Sequence, residues 1–295
     1  MTFSIIIPVY NDNGTLQRCL QSVMAQSEDD YEVIVVDDGS DNGVEIGDAE
    51  KVCVIRIEHG GLSAARNAGI DIARGEYLVF LDADDFIEND TLSVLSETIR
   101  RNPDSDIIEY PVYVHEGAPD AYMLNFEDKV YSNLIDDYWL GCKAYMHSYA
   151  WNKVYRRHLF DEIRFPVRKK FEDAYILPLL LKKANSVRTI NKGLYHYMWN
   201  ADGICAKADG GDLSQLLEAH VNTMEMFQME NRNGFSEFFM YILNIQIDVY
   251  KACKNIILPS YKIHSFPMDL NMRVKFVLYK MFGLKIVCRL WKLLS

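Results

Sequence analysis

A short apolar run at residues 77–81 is the feature that most restricts how this chain can fold. It is rich in aromatic and aliphatic residues, which predicts a strand buried on both faces, as in a parallel sheet covered by helices. Three carboxylates follow it at once, Asp82, Asp84 and Asp85. Because ligands of open α/β sheets bind at the carboxyl ends of strands, the stretch predicts both an α/β fold and a site at this strand end.

Carboxylate oxygens clustered at a strand end suit Mg²⁺ or Mn²⁺, which usually bind one or two carboxylates together with substrate phosphates. The alternative is an acidic turn in which Asp82 or Asp85 caps the next helix. We favour the metal site over the acidic turn, because other segments of the chain also predict ligand-binding residues near this strand end.

The first forty residues predict a β-α-β unit. A continuous apolar run, Phe3–Val9, is followed by a polar turn and by a helical pattern that starts near Thr15. A second apolar run at 31–36 ends in Asp37-Asp38-Gly39-Ser40. This order predicts a parallel strand pair with a right-handed crossover. The first turn holds a single glycine, so the dinucleotide-binding fingerprint and the P-loop are both absent and a nicotinamide enzyme is not expected.

A glycine pair, Gly60-Gly61, leads into a predicted helix at 62–74 that is rich in small residues. Arg66 lies one turn inside this helix, so a positive helix start with an arginine predicts an anion site. A surface arginine is the alternative. Further helices are predicted at 91–101, 134–145 and 175–181, and further strands at 52–57, 106–110, 187–190 and 195–199.

A glycine-rich loop at 201–211 is expected to end the α/β core, so we predict a domain at 1–210 and a helical extension at 211–295. The net charge of −11 argues against nucleic acid as a partner, since phosphate binding needs a basic face. The six cysteines are scattered and predict free thiols in a reducing compartment. No signal peptide and no membrane span is expected, which predicts a cytosolic or peripheral protein.

The last segment, 271–295, reverses the local charge, because it holds six basic residues and no acidic one. Lys285, Arg289 and Lys292 fall on one face of a predicted helix, and Gly283 is expected to split the segment in two. A basic amphipathic helix with a tryptophan fits an anionic membrane surface. The alternative is a helix docked on the core with its lysines in water.

Four motifs in order closely resemble family 2 of the inverting glycosyltransferases, which have the GT-A fold: Ser4-Ile-Ile-Ile-Pro-Val-Tyr-Asn11, Val35-Val-Asp-Asp-Gly-Ser40, Gly60-Gly-Leu-Ser-Ala-Ala-Arg-Asn-Ala-Gly69 and Gly75-Glu-Tyr-Leu-Val-Phe-Leu-Asp-Ala-Asp-Asp85. The resemblance runs to about Tyr197 and includes acceptor-side segments at 151–156 and 171–173. The chain departs from the family twice. The 41–51 connection is short, and Met198 stands where many relatives carry an arginine, which puts a phosphate contact in doubt.

The resemblance implies transfer of a sugar from a nucleotide diphosphate, with Mn²⁺ or Mg²⁺ as cofactor. Asp84 is then the direct metal ligand, Asp82 contacts ribose or metal, and Arg66 adds a fixed positive charge. The remaining donor-binding positions are Pro8, Val9, Tyr10, Asp38 and Ala83. Tyr10 is expected to stack on the nucleobase and Asp38 to accept the uracil N3–H, which favours a UDP-sugar over a GDP-sugar. A turn with a helix cap is the alternative for 37–40.

On the acceptor side, inversion needs a general base opposite the leaving group. The resemblance implies that Asp173 is this base, with Glu172 as the second candidate. Without the resemblance, the Glu172–Asp173 pair predicts only a helix cap. Trp151 is expected to stack on an acceptor sugar, or else to be a core residue, and Lys153 lies in the same segment. His196 is more readily a core histidine than a metal ligand. The expected acceptor is a lipid-linked or surface polysaccharide at the inner face of the cytoplasmic membrane.

Two other functions remain as alternatives. A sugar nucleotidyltransferase would share the architecture and the metal, but it needs a glycine-rich basic loop where this chain has Tyr10-Asn-Asp-Asn-Gly14. A non-catalytic membrane-associated scaffold with this fold would be expected to lose its metal carboxylates or its base. Asp82, Asp84 and Asp173 are all present, and metal-dependent UDP binding would separate the scaffold from the enzyme.

Overall fold

A computed structural model describes residues 1–46, 50–201, 203 and 206–294 of the chain. Cys205 and parts of the 41–51 and 201–211 segments lie outside the described residues. The chain forms two compact units. The first consists of Met1–Ser132, Tyr149–Arg168 and Leu179–Asn200, and the second of Asn133–Ser148, Lys169–Pro178 and Ala201–Ser295. The domain boundary after residue 210 stays a prediction.

The first unit alternates strands and helices. Its elements are β1 (Phe3–Val9), α1 (Asn13–Met24), β2 (Tyr31–Asp37), β3 (Val52–Arg56), α2 (Leu62–Ile72), β4 (Tyr77–Phe80), β5 (Phe86–Ile87), α3 (Thr91–Arg101), β6 (Ile107–Glu109), β7 (Val112–Glu116), β8 (Tyr122–Leu124), β9 (Lys129–Tyr131), β10 (Lys153–Arg156), β11 (Val187–Thr189) and β12 (Tyr195–Met198). The predicted strands and helices of this unit are confirmed to within two residues at their ends.

Within the described residues, the larger sheet has eight strands in the order β3-β2-β1-β4-β10-β6-β11-β9. The strands from β3 to β4 are all parallel, and Ile6 of β1 pairs with Ile34 on one side and Phe80 on the other. β10 is antiparallel to both of its neighbours. A smaller sheet has the order β5-β12-β7-β8. The predicted α/β fold is therefore confirmed, and its larger sheet is mixed.

Continuous apolar strands explain why the centre of this sheet is buried. All residues of β1 and β2 are buried, as expected for strands covered on both faces. The small residues of α2 let the helix approach closely: a side-chain carbon at Gly69 would come within 2.4 Å of Ile6. α2 ends at Ile72, earlier than predicted, because Ala73 has an extended backbone.

The second unit is helical. Helix α4 (Glu172–Lys183) has residues in both units and begins three residues before the predicted start. The others are α5 (Gly210–Met226), α6 (Phe235–Cys253), α7 (Leu270–Phe282) and α8 (Leu284–Leu294). The helix expected near 134–145 is instead two short segments, Leu134–Gly141 and Ala144–Met146.

The break at Gly283, between α7 and α8, is confirmed, and its φ of 75° is one that glycine adopts without strain. Among the residues that the structure describes, none of the helices combines the length and the apolar character that crossing a bilayer requires.

Candidate active site

Asp85, the last of the three carboxylates after β4, is a structural residue. Its side chain is fully buried. The Tyr195 hydroxyl donates to its Oδ2 over 2.7 Å, and the Met198 backbone N–H donates to its Oδ1 over 2.8 Å. Burial, and then the charges of Asp82 and Asp84, raises the pKa of Asp85 well above its ordinary value. Asp85 thus joins β12 to the end of β4, a role that no local pattern in the sequence indicates.

Asp84 remains partly accessible at the same strand end. Nδ2 of Asn200 donates to its Oδ2 over 3.1 Å, and the guanidinium of Arg18 donates to its backbone carbonyl. Burial, and then the charge of Asp82, raises the pKa of Asp84 above its ordinary value. Sequence reasoning missed both Arg18 and Asn200, since neither belongs to a motif.

Arg66 and Asp82 form an ion pair beside Asp84, with Nη2 of the arginine 2.9 Å from Oδ1 of the aspartate. Arg66 is only 1% exposed and its guanidinium lies 5.2 Å from the centre of the Phe165 ring. The alternative of a surface arginine is therefore wrong. The ion pair and the ring contact thus fix the positive charge of Arg66 at the strand end where the carboxylates lie. The backbone N–H of Asp82 also donates to the Tyr195 hydroxyl over 3.2 Å.

Asp38 is nearly buried at the end of β2. Its oxygens accept hydrogen bonds from the backbone N–H groups of Gly60 at 2.8 Å and Gly61 at 2.9 Å. Nδ1 of His59 lies 2.9 Å from its Oδ2. The glycine amides before α2, which we expected to receive an external anion, therefore receive the carboxylate of Asp38. Its contact with a nucleobase stays a prediction.

Tyr10 is the exposed aromatic residue at the end of β1, while Pro8 and Val9 before it are buried. Its ring stacks on His59 with ring centres 4.2 Å apart. At the neighbouring turn, Oδ1 of Asp37 accepts from the backbone N–H of Ser40 over 2.8 Å. Asp37 thus has the turn-stabilising role, and the exposed Tyr10–His59 pair offers an aromatic surface. His59 was not found from the sequence.

Trp151 is nearly buried in a stack of rings. Tyr149 covers one face, with ring centres 4.5 Å apart, and Tyr195 lies at 4.4 Å, also stacked. Stacking of a sugar on Trp151 would require a tyrosine to move. This arrangement supports the alternative that Trp151 is a core residue, and its contact with an acceptor stays a prediction.

Lys153 is completely buried in β10, and its Nζ lies 2.8 Å from Oε1 of Glu109, which is also completely buried. Nζ donates further to the carbonyl of Tyr149 and to Oδ1 of Asn152. Because a buried charge must be paired, this ion pair has a clear structural role.

His196 is held as a core histidine. Nδ1 lies 2.6 Å from Oε2 of Glu116, Nε2 lies 3.1 Å from Oε1 of Glu88, and the ring stacks on Phe86. Both ring nitrogens therefore have carboxylate partners, which agrees with the favoured interpretation of this residue.

Glu172 and Asp173 form the first turn of α4. Glu172 is nearly buried and Asp173 is half-buried. Of the two carboxylates, Asp173 is thus the more accessible to a substrate. Its assignment as general base stays a prediction.

The strand end suits a divalent cation shared with a substrate. Within the described ranges, no three His, Cys, Asp or Glu side chains are grouped to hold a metal by themselves. Asp82 is nevertheless near enough to raise the pKa of Asp84. A cation between the two carboxylates would relieve this repulsion, and two carboxylates plus phosphates are a usual ligand set for Mg²⁺.

The model of "Glycosyl transferase family 2" matches residues 4–164. Glycosyltransferase GlyA of Streptococcus pneumoniae is 31% identical over 66% of this chain and 30% of its own length. The minor teichoic acid biosynthesis protein GgaA of Bacillus subtilis is 33% identical over 66% of this chain and 46% of its own length. The chain therefore spans well under two thirds of these relatives.

Solved structures share the fold. The structure of residues 1–349 of S. aureus TarS in complex with UDP-GlcNAc has a TM-score of 0.62 and 21% identity, over 85% of this chain and 81% of that one. The complex of the same protein with UDP has a TM-score of 0.59 and 21% identity, over 86% of this chain and 81% of that one.

Proposed function

Because the chain belongs to glycosyl transferase family 2 and has the GT-A fold, we propose that it is a metal-dependent, inverting glycosyltransferase. Its donor would be a nucleotide diphosphate sugar, and its acceptor a hydroxyl of a lipid-linked or surface polysaccharide. The observation that carries this proposal is the placement of Arg66, Asp82 and Asp84 together at the end of β4.

The leaving nucleoside diphosphate gains negative charge as the sugar–oxygen bond breaks. When bound by Asp84 and Asp82, Mn²⁺ or Mg²⁺ would neutralise part of that charge, an effect worth several kcal/mol. Arg66 supplies a second positive charge that is already fixed by Asp82 and Phe165, so little reorganisation is needed during the reaction. Ala83, between the two aspartates, is buried, which leaves their side chains to contact the donor.

We assign the nucleobase to the crevice beside Tyr10. An exposed aromatic ring at a strand end suits stacking on a base, and Pro8 and Val9 would form the floor of that pocket. Asp38 would accept the N3–H of uracil through the lone pair of Oδ1 that Gly60, Gly61 and His59 leave available. TarS has been solved with UDP-GlcNAc and with UDP, which favours a UDP-sugar here; a GDP-sugar is the second candidate.

We assign the general base to Asp173, which is more accessible than Glu172. An aspartate there would take the proton of the acceptor hydroxyl as that oxygen attacks the anomeric carbon. Trp151 and Lys153 remain acceptor-side candidates, although each also has the packing role described above. The similarity to a teichoic acid biosynthesis protein favours a cell-surface polymer as acceptor, reached from the inner face of the cytoplasmic membrane.

The test is release of UDP from a panel of UDP-sugars with Mn²⁺ and a lipid-linked acceptor. Asp84→Ala should abolish turnover, while Asp161→Ala, an identical change at an exposed site, should leave it intact. No turnover with any UDP- or GDP-sugar would overturn the proposal and favour a scaffold, and formation of an activated sugar from a nucleotide triphosphate would favour a nucleotidyltransferase.

A further inference from the structure

Helix α7 carries an exposed apolar stripe. Leu270, Val274, Val277 and Met281 are between 43% and 78% exposed. We call these four residues the α7 stripe. Their spacing of four, three and four residues places them within an arc of about 60° on the helix surface. The stripe is thus one continuous apolar face rather than a set of isolated exposed residues.

The opposite face of α7 is packed within the same unit. Phe276 and Tyr279 are buried, and the Tyr279 ring lies 5.1 Å from that of Phe239. The Tyr279 hydroxyl donates to the carbonyl of Tyr261 over 2.7 Å. α7 is therefore held in one rotational setting with its stripe pointing away from its packed side. A helix that is apolar on both sides is normally covered on both sides.

Helix α8 is packed on one face, and the exposed apolar residues described in it, Ile286 and Leu293, do not form a four-residue stripe like that of α7. Its residues Leu284, Val287 and Cys288 are buried, and α8 packs against α6 and α7. Of the two possibilities raised from the sequence, a C-terminal helix packed against the rest of the protein therefore describes α8. Phe282 and Ile286, near the break between the helices, are exposed and add apolar area beside the stripe.

Positive charge borders the stripe. Two exposed basic residues, Arg273 and Lys280, are seven residues apart and therefore lie on the same side of α7. In α8, Lys285 and Arg289 are also exposed. No acidic residue occurs from 270 to 295, although the whole chain carries a net charge of −11. An apolar strip edged by basic residues is complementary to an anionic lipid surface, where acyl chains lie beneath negative headgroups.

A second copy of the chain would fit the α7 stripe less well than an anionic membrane does. Two α7 stripes packed about a twofold axis would bring the same surface of each copy together, including Arg273 and Lys280 of both. The like charges would repel each other without an acidic residue in the segment to pair with them.

We propose that α7 docks this protein on an anionic phospholipid membrane, with the α7 stripe entering the headgroup and acyl boundary and Arg273 and Lys280 contacting the headgroups. The proposal of membrane binding is supported by the features of this surface alone. Only its purpose, access to a lipid-borne acceptor, rests on the proposed function.

The experiment is co-sedimentation of the full chain with vesicles of phosphatidylcholine mixed with phosphatidylglycerol, and with vesicles of phosphatidylcholine alone. We expect binding to the mixed vesicles that weakens as salt is added, because exposed charges are screened. Val277→Glu should weaken binding by about tenfold or more, since it buries a charge in the apolar layer and repels the headgroups.

Val54→Glu is the matched control, because Val54 of β3 has nearly the same exposed fraction as Val277 and receives the same charge. It should bind as the wild type does. For the basic edge, Arg273→Gln with Lys280→Gln should weaken binding to mixed vesicles, and Lys182→Gln with Lys192→Gln, two exposed lysines of the other unit, should not.

Absence of vesicle binding by the wild type would overturn the proposal, and so would equal binding by Val277→Glu and the wild type. A stable dimer in solution that Val277→Glu dissociates, without vesicle binding, would assign the stripe to a second copy. Hydrolysis of the donor in solution should be the same in Val277→Glu and the wild type, so failure of membrane docking is distinguishable from failure of the proposed function.

Discussion

The hydroxyl of Tyr195 donates a hydrogen bond to Asp85 over 2.7 Å, across a separation of 110 residues. The same oxygen accepts the backbone N–H of Asp82 over 3.2 Å. One side chain of β12 therefore supports the segment in which Asp82 and Asp84 lie. The position of the candidate metal ligands depends on this contact as well as on β4.

Tyr195→Phe should lower the free energy of unfolding by about 1–3 kcal/mol, because Asp85 is buried and loses a hydrogen-bond donor. It should also weaken UDP binding, since the backbone of Asp82 loses its partner. Urea unfolding and calorimetry measure the two effects. Tyr113→Phe, in β7 of the same sheet, is the control. Unchanged stability in Tyr195→Phe would refute the supporting role of this hydroxyl.

The buried pair of Lys153 and Glu109 allows a double-mutant cycle. Lys153→Met should cost about 3–5 kcal/mol of unfolding free energy, because it leaves the carboxylate of Glu109 buried without its ion-pair partner. Adding Glu109→Leu should recover at least half of that loss. If the double variant regains stability but not turnover, Lys153 also acts on the acceptor; if it regains both, the lysine is structural.

His220 in α5 should make the protein sensitive to acid. Among the described residues, neither of its ring nitrogens has a hydrogen-bond partner, and the rings of Phe238 and Tyr241 lie within 6 Å of it. Burial lowers the pKa of His220 from 6.5 to about 3. A lowered pKa means that the stability is present above pH 6.5 and is lost as the pH falls towards 3.

The loss attributable to His220 should be about 1.4 kcal/mol for each pH unit below its ordinary pKa. His220→Leu should remove this component, so its unfolding free energy should fall less between pH 6.5 and pH 4 than that of the wild type. His264→Leu changes an exposed histidine and should keep the wild-type slope. Equal slopes in His220→Leu and the wild type would contradict this account.

Asp173→Asn should remove sugar transfer while it leaves UDP binding and stability close to those of the wild type. The amide keeps the size and polarity of the carboxylate but cannot accept the proton of the acceptor hydroxyl. The turnover number and the dissociation constant for UDP should be measured for Asp173→Asn, for Glu172→Gln and for the wild type. Near-normal transfer by Asp173→Asn would show that another residue is the base.

The elements best predicted from the sequence are those whose signal is local. β1 and α3 have the predicted bounds because a continuous apolar run and a regular helical period define them. A candidate site at the end of β4 could be proposed because carboxylates follow a buried strand. The division at Gly283 could be predicted because glycine tolerates the backbone conformation found there.

The rest depends on contacts between distant segments. The sequence could not indicate that Asp85 binds Tyr195, that the glycine amides before α2 are occupied by Asp38, or that tyrosines stack on Trp151. Arg66 was found, but its burial depends on Phe165 from much later in the chain. The exposed α7 stripe could not be recognised either, because the apolar residues of α7 and α8 look alike until their packing is known.

The most direct test of the account is calorimetric titration of the protein with UDP, GDP and CDP, each with Mn²⁺ and then with excess chelator. The account predicts that UDP binds, that binding is lost with the chelator, and that Asp84→Ala does not bind in either condition. GDP preference would overturn the assignment of uracil to Asp38. Binding of UDP that is unaffected by the chelator and by Asp84→Ala, or no binding of any nucleotide, would contradict the central claim that the carboxylates after β4 form a metal-dependent donor site.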